Sequence, residues 1–289
     1  MIYLIIDTIC FSLSFGLIKS QLAFLPSEFV VFCRLFIAML LFLPFVRCID
    51  WRRHAKAMVI GMLQFGVMYL CFIKAFKFLQ GNEIAILTTT TPVFVGIWSY
   101  LLGEKFRPIY IICILMSVVG AGVIVWQNMS FDMIVKGVVL METTNCSFAL
   151  GQVLWKKYIG EAETKLMASA YLGATMFVLP FMLVCVDFSN LSLTLGQVLS
   201  LLYLALIPTG IGFWLWNKGA NKVKYSTLAV MNNLKIPLGV LFSLMIFHEK
   251  INVANFVMGS GIIVLSIVIL HYALQRSTKP DESLEDKKV

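Results

Sequence analysis

Charge is scarce in this sequence. Asp, Glu, Lys and Arg make up 13% of its 289 residues, about half the share of an ordinary soluble domain. Hydrophobic residues supply 60%, and mean hydropathy is +0.90. That balance excludes a soluble enzyme and requires a polytopic membrane protein. No P-loop occurs, which argues against ATP-driven transport by this chain alone, and no TVGYG-like potassium filter is present. His-Glu-x-x-His and Gly-x-Ser-x-Gly are also missing, so an intramembrane hydrolase would lack its metal set or its nucleophile. The seven cysteines (Cys10, Cys33, Cys48, Cys71, Cys113, Cys146 and Cys185) stand singly, without zinc or disulfide spacing. His54, His248 and His271 form no cluster. Neither a metal nor a cofactor is expected. The N-terminus lacks a basic n-region and an A-x-A cleavage site, so its first apolar run is read as a retained helix.

Apolar runs long enough to cross about 30 Å of hydrocarbon fall at 2–19, 29–47, 56–76, 83–102, 108–126, 133–155, 166–187, 196–217, 226–247 and 253–274. The fold class expected is therefore all-α and polytopic, with about ten spans. Lys and Arg set the orientation. One set of alternate loops, with the C-terminal tail, holds sixteen of the 23, including Arg52, Arg53, Lys105, Arg107, Lys156, Lys157, Lys218 and Lys222. The opposite set holds five: Lys19, Lys74, Lys77, Lys136 and Lys250. Both termini are placed on the cytoplasmic side of the cell membrane. The net charge of +8 follows this loop asymmetry and does not point to nucleic acid.

The chain is written twice. Ala75, Ala85, Pro92, Val95 and Glu104-Lys105 recur 145 residues later as Ala220, Val230, Pro237, Val240 and Glu249-Lys250. Upstream, Asp7-Thr8, Ser12 and Gly16 recur after 135 residues as Glu142-Thr143, Ser147 and Gly151. Residues 1–130 and 131–274 are read as two five-helix repeats, and 275–289 as a disordered cytoplasmic tail. An odd number of spans per repeat inverts the second relative to the first. The loop charges agree, since they place Glu104-Lys105 inside and Glu249-Lys250 outside.

Charge within hydrocarbon costs about 2.5–3.5 kcal/mol per residue, so polar residues inside spans mark candidate sites. Asp7 and Glu142 occupy equivalent places in the first span of each repeat, facing a central cavity. They can bind a cation, carry protons, or neutralise Arg34 and Lys235. Arg34 can hold a carboxylate or phosphate by bidentate bonds, or form a salt bridge to the first span. Thr88 to Thr91 before Pro92, and Asn232, Asn233 and Lys235 before Pro237, are repeat-related segments ahead of a proline kink. Each proline frees a backbone carbonyl. The expected substrate contacts are Asp7, Arg34, Tyr69, Thr90, Glu142, Asn145, Trp214, Asn232, Asn233 and Lys235, with Glu142 and Asp7 as proton-coupling candidates. Tyr69 and Trp214 align in the repeat as a possible aromatic wall, with belt or packing roles as alternatives. Gly61, Gly66, Gly96, Gly120, Gly122, Gly259 and Gly261 are read as close helix contacts.

These residues resemble the drug/metabolite transporter superfamily in its EamA-type, ten-helix branch. The likeness rests on the Pro92 helix running to Gly103-Glu104-Lys105, on Gly120, and on the copy Pro237, Glu249-Lys250 and Gly259. Ser12 to Lys19 and Arg34 also fit. His248 stands where family members often have glycine. The resemblance covers nearly all of residues 1–274. It implies secondary transport of a small organic metabolite by alternating access, in the lipid bilayer, with no nucleic-acid partner and an oligomeric state left open (a monomer is allowed). Cargoes in such families include amino acids, amines, nucleotide-linked metabolites and S-adenosylmethionine. Buried charges of both signs favour an amino-acid-like zwitterion or cation, moved by exchange or proton coupling. Export of drugs or amines, a passive channel and a membrane-embedded enzyme are the alternatives.

Overall fold

The structure is a computed structural model that describes residues 2–46, 50–103, 131–160, 163–223 and 252–276, with 109, 112, 113, 115, 116, 119, 120, 123 and 228. Most of the spans expected at 108–126 and 226–247 lie outside these residues, as do the Glu-Lys pairs and the tail beyond 276. The rest is helical, with no strand among the described residues. We label the helices α1 (Ile2–Leu22), α2 (Ser27–Phe45), α3 (Trp51–Ala75), α4 (81–101), α5 (Phe131–Tyr158), α6 (Glu163–Cys185), α7 (Leu195–Asn221) and α8 (Val253–Arg276).

Helices α1, α2, α3, α6 and α7 are long and apolar enough to cross a membrane. At 28 residues α5 is longer than any of them, but its middle carries Glu142, Thr143, Thr144 and Asn145. The least greasy of the long helices is thus the one with polar side chains at mid-length. Its apolar neighbours must then supply partners for those groups. Gly103 (φ +100°) and Gly160 (φ +62°) end α4 and α5 in the left-handed region, where a Cβ is strained.

Helices α3 and α7 are interrupted in the same way. Met62–Val67 and Ala205–Gly212 wind as π-helix between α-helical arms, and a shift of 145 residues lays the first segment inside the second. Pro208 accounts for part of the break in α7, because it removes one backbone donor. No proline lies within the α3 segment, so there the packing of neighbouring helices has to hold the wider turn.

Contacts fix the helix directions. Along α1 and α7, Leu4 meets Gly219, Asp7 meets Gly212, and Tyr203 Oη donates to the Cys10 carbonyl (3.3 Å), so the two are antiparallel. Along α3 and α5, Gly151 meets Gln64, Ser147 Oγ donates to the Leu63 carbonyl (2.7 Å), and Gly137 meets Leu79, again antiparallel. Gln64 Nε2 donates to Asn217 Oδ1 (3.1 Å) and Tyr69 Oη lies 3.0 Å from Thr209 Oγ1, which makes α3 and α7 antiparallel as well. It follows that α1 opposes α5 and α3 opposes α7, the relation an inverted pair of repeats demands. The packing is reciprocal: α1 and α2 lie on α7, while α5 and α6 lie on α3.

Each end of this assembly carries a lysine cap. Lys19, in the last turn of α1, donates to the Phe76 and Leu79 carbonyls (3.0 and 3.1 Å) at the C-terminus of α3. Lys156, in the last turn of α5, donates to the Ala220 carbonyl (2.8 Å) and the Val223 carbonyl at the C-terminus of α7. A cation suits the negative end of a helix. Because α3 and α7 are antiparallel, the two caps sit at opposite faces of the molecule.

Two glycines let backbones touch. A Cβ on Gly61 would stand 2.1 Å from the Ala170 carbonyl oxygen, and one on Gly173 would stand 2.2 Å from that of Met58. Glycine is obligatory where α3 and α6 cross. At Gly96 and Gly261 no described atom lies within 4 Å of an added Cβ. Substituting Gly61 with Val is expected to cost at least about 1–3 kcal/mol through overpacking. Substituting Gly96 with Ala is expected to be neutral or stabilising by up to about 1 kcal/mol. Thermal unfolding of the two purified variants in detergent checks the contrast.

Candidate functional site

Six helices bring polar side chains into the apolar interior, in two clusters. The first lies where α4 crosses α5. A 3-10 turn over Thr88–Thr90 precedes the α-helical arm Thr91–Leu101, whose second residue is Pro92. The Leu87 carbonyl stands at the start of this tight turn, and Asn145 Nδ2 donates to it at 2.8 Å. Asn145 Nδ2 also donates to Thr90 Oγ1 (2.7 Å), while its Oδ1 accepts from Thr91 Oγ1 (3.1 Å). The Thr90 hydroxyl then lies 3.1 Å from the Leu87 carbonyl and 2.9 Å from Glu142 Oε2. Its single proton serves one of these acceptors at a time. The network therefore fixes Thr90 and Asn145 and leaves the Glu142 carboxylate able to exchange partners.

Glu142 faces a groove of about 460 Å³ lined, among the described residues, by one side of α5: Val138, Val139, Glu142, Thr143, Cys146, Ser147 and Leu150. On the other side of Asn145 and Thr91 lies a small cavity of about 30 Å³, lined by Phe11, Met68, Phe72, Thr88, Thr144, Phe148 and Phe213. It has room for about one water molecule.

The second cluster lies beyond that aromatic wall. Arg34 of α2 is fully buried. Its Nε and Nη2 donate to Thr209 Oγ1 (3.1 and 2.9 Å), and Nη2 also donates to Tyr69 Oη (3.0 Å). The guanidinium carbon sits 4.3 Å from the centre of the Tyr69 ring, a cation–π distance. Tyr171 of α6 donates to the Thr209 carbonyl, an acceptor on the π-helical segment of α7. Nη1 of Arg34 has no hydrogen-bond partner, and no described carboxylate forms an ion pair with it. The salt bridge to the first span that the sequence left open is not made.

The remaining candidates have different surroundings. Asp7 is buried against Gly212, one turn along α7 from Thr209, so it does not reach out to the headgroups. Lys74 pairs with Glu28 at 2.8 Å near the start of α2. Trp214 is not beside Tyr69: its Nε1 donates to Thr164 Oγ1 (2.8 Å), and Lys218 lies over its ring at 4.8 Å. Adjacent helical side chains diverge by about 100°, so once Phe213 faces Tyr69 (ring centroids 5.8 Å apart) Trp214 turns toward α6. Trp155 and Trp216 are also buried, not at a lipid-facing belt. Asn232, Asn233, Lys235 and Pro237 lie outside the described residues.

Neither Thr209 nor Tyr171 was among the substrate contacts expected from the sequence. Thr209 is the repeat mate of Gln64, which was a usable signal. Tyr171 offered none. If the Arg34 cluster acts as a unit, Tyr69→Phe and Thr209→Val will each destabilise the protein, and the double variant will lose less than their sum. A coupling of about 0.5–3 kcal/mol is expected, read from thermal unfolding of the four proteins in a double-mutant cycle.

Known proteins share this sequence and this fold. The family model described as the EamA-like transporter family matches residues 1–126 and 135–272. A protein of Pseudomonas aeruginosa named as a probable biotin transporter is 33% identical over 273 residues, covering 92% of this chain and 95% of its own. Proteins named as biotin transporters in Salmonella typhimurium and Escherichia coli are 32% and 31% identical, each across 92% of this chain and 91% of their own. A solved crystal structure with 16% identity superposes at a TM-score of 0.71, covering 93% of this chain and 96% of that one.

Proposed function

The chain belongs to the EamA-like transporter family, within the drug/metabolite transporter superfamily, and we propose that the small molecule it carries is biotin or a close chemical relative. The observation behind this reading is the near full-length similarity to three proteins named as biotin transporters. The amino-acid-like or S-adenosylmethionine cargo drawn from the buried charges has no such support, and it enters as the competing arm of the test. In this reading the protein is a secondary carrier in the cytoplasmic membrane with both termini inside. It is built from two inverted repeats, 1–130 and 131–274, that rock about a shared site.

The site chemistry favours a partly polar, partly apolar ligand. The groove beside α5 offers a carboxylate and two hydroxyls from Glu142, Thr143 and Ser147 on an otherwise apolar wall. A ureido ring presents N–H donors to a carboxylate and a carbonyl acceptor to hydroxyl or amide donors. The sulfur ring and methylene chain of biotin match the aliphatic and aromatic remainder. Glu142 is then the group whose charge a proton gradient can address, because its bond from Thr90 is the one that can be surrendered.

Purified protein in liposomes should accumulate labelled biotin in a saturable way and should not accumulate labelled amino acids or S-adenosylmethionine. Uptake of either competitor without biotin would sink the reading. Substituting Glu142 with Gln is expected to lower gradient-driven uptake at least about tenfold, the loss of a bond to a charged group worth about 1.5–3 kcal/mol. Biotin exchange should survive in that variant if Glu142 carries the proton and be lost if it serves only to bind substrate.

A further inference from the structure

We propose that Arg34 is the anion end of an elongated substrate site whose polar end is the Thr90–Glu142–Asn145 cluster, so that the ligand is a polar ring on an apolar stem ending in a carboxylate. The inference rests on the biotin reading and sharpens it. It assigns the tail of the molecule to a part of the protein separated by an aromatic wall from the α5 groove.

Arg34 keeps its charge in any protein interior, since a guanidinium does not give up its proton. Here it is fully buried with no described carboxylate paired to it, and both N–H groups of Nη1 are unused. A buried cation that makes no close ion pair is costly, and Asp7 against Gly212 is buried in the same region without bonding to Nη1. The hydroxyls of Tyr69 and Thr209 orient it but do not neutralise it. Its fork is already held on one side by Thr209 and by the Tyr69 ring. A carboxylate arriving at Nη1 therefore meets a donor with little freedom left to lose.

A small cavity lies between the two ends. Asn145 and Thr91 form its wall toward Glu142, and Phe72 and Phe213 form its wall toward Tyr69. Both rings stand against Tyr69, at 6.2 and 5.8 Å between centroids, and Tyr69 Oη touches Arg34. Phe213 and Thr209 are about one helical turn apart on α7, and Phe72 and Tyr69 nearly so on α3. The cavity and the guanidinium are therefore neighbours along both helices, with Phe72, Phe213 and Tyr69 between them. The throat is narrow in this conformation, and Phe72 and Phe213 must part to admit the stem. Both rings belong to the arms that follow the π-helical segments of α3 and α7, where the backbone ladder is already interrupted.

The test uses the full-length wild-type protein with biotin, biotin methyl ester, and two homologous acids whose tails are one and two methylenes shorter. Binding is read by thermal stabilisation and by competition with labelled biotin uptake. Wild-type protein should prefer the acid over the ester by about 10- to 100-fold, the discrimination of a charge-assisted hydrogen bond. The preference should fall as the tail shortens, because the two ends of the site are a fixed distance apart. Arg34→Gln should bring acid and ester to within about threefold of each other, and Arg34→Lys should restore part of the difference.

Equal binding of acid and ester by wild type overturns the proposal, and that comparison stands even if Arg34→Gln does not fold. Retained discrimination in a folded Arg34→Gln protein also overturns it. If wild type neither binds nor carries biotin, the substrate reading itself fails, and this inference fails with it.

Discussion

Lipid offers no hydrogen bonds, so every polar group at depth in this protein must be answered by another part of the protein. That constraint organises the interior. Carbonyls of the 3-10 turn of α4 and the π-helical segments of α3 and α7 accept side-chain hydrogen bonds. Asn145 takes Leu87, Ser147 takes Leu63, and Tyr171 takes Thr209. In each case the donor comes from a different helix than the acceptor. The irregular segments are thereby cross-linked to neighbouring helices, and they occur where the chain also concentrates its buried polar residues. An interior of uninterrupted helices would need no such donors and would have little to offer a polar ligand.

Glycine supplies the complementary device. The crossing of α3 and α6 is so close that Gly61 and Gly173 face carbonyls directly. Dispersion contacts between backbones hold that crossing, with no side chain able to repack. Its rigidity contrasts with the aromatic wall around Phe72 and Phe213, where rings meet at tilted or edge-on angles and can turn. The protein thus places its stiff contacts and its adaptable ones on the same two helices, a few turns apart.

Much of the architecture was legible in the amino-acid order because hydrocarbon imposes a length and the chain repeats itself. The early edge of α3 was missed by five residues. Trp51, Arg52, Arg53 and His54 are helical but too polar to read as membrane. Asp50 caps that extension by accepting from the Arg52 amide at 3.2 Å. In the candidate site, Thr90, Glu142 and Asn145 could be found because each is a polar residue in an apolar run. Glu142 also answers Asp7 in the repeat. Tyr171 could not, since a tyrosine in a membrane helix is compatible with packing, belt or site. The exchange of Trp214 for Phe213 has a similar cause. Sequence alignment pairs positions, whereas the face of a helix depends on its phase, and the π-helical turns that set the phase leave no mark in composition.

The two lysine caps have a consequence for how the molecule can move. Lys19 and Lys156 bind neutral carbonyls at helix ends, on opposite faces, where water can replace either partner with little loss. The Arg34 cluster lies deep inside, where nothing can replace Thr209 and Tyr69 except a ligand. Such a molecule is fastened reversibly at its rims and durably at its waist. In the proposed alternating-access cycle, such fastening would let each rim open in turn without the halves coming apart.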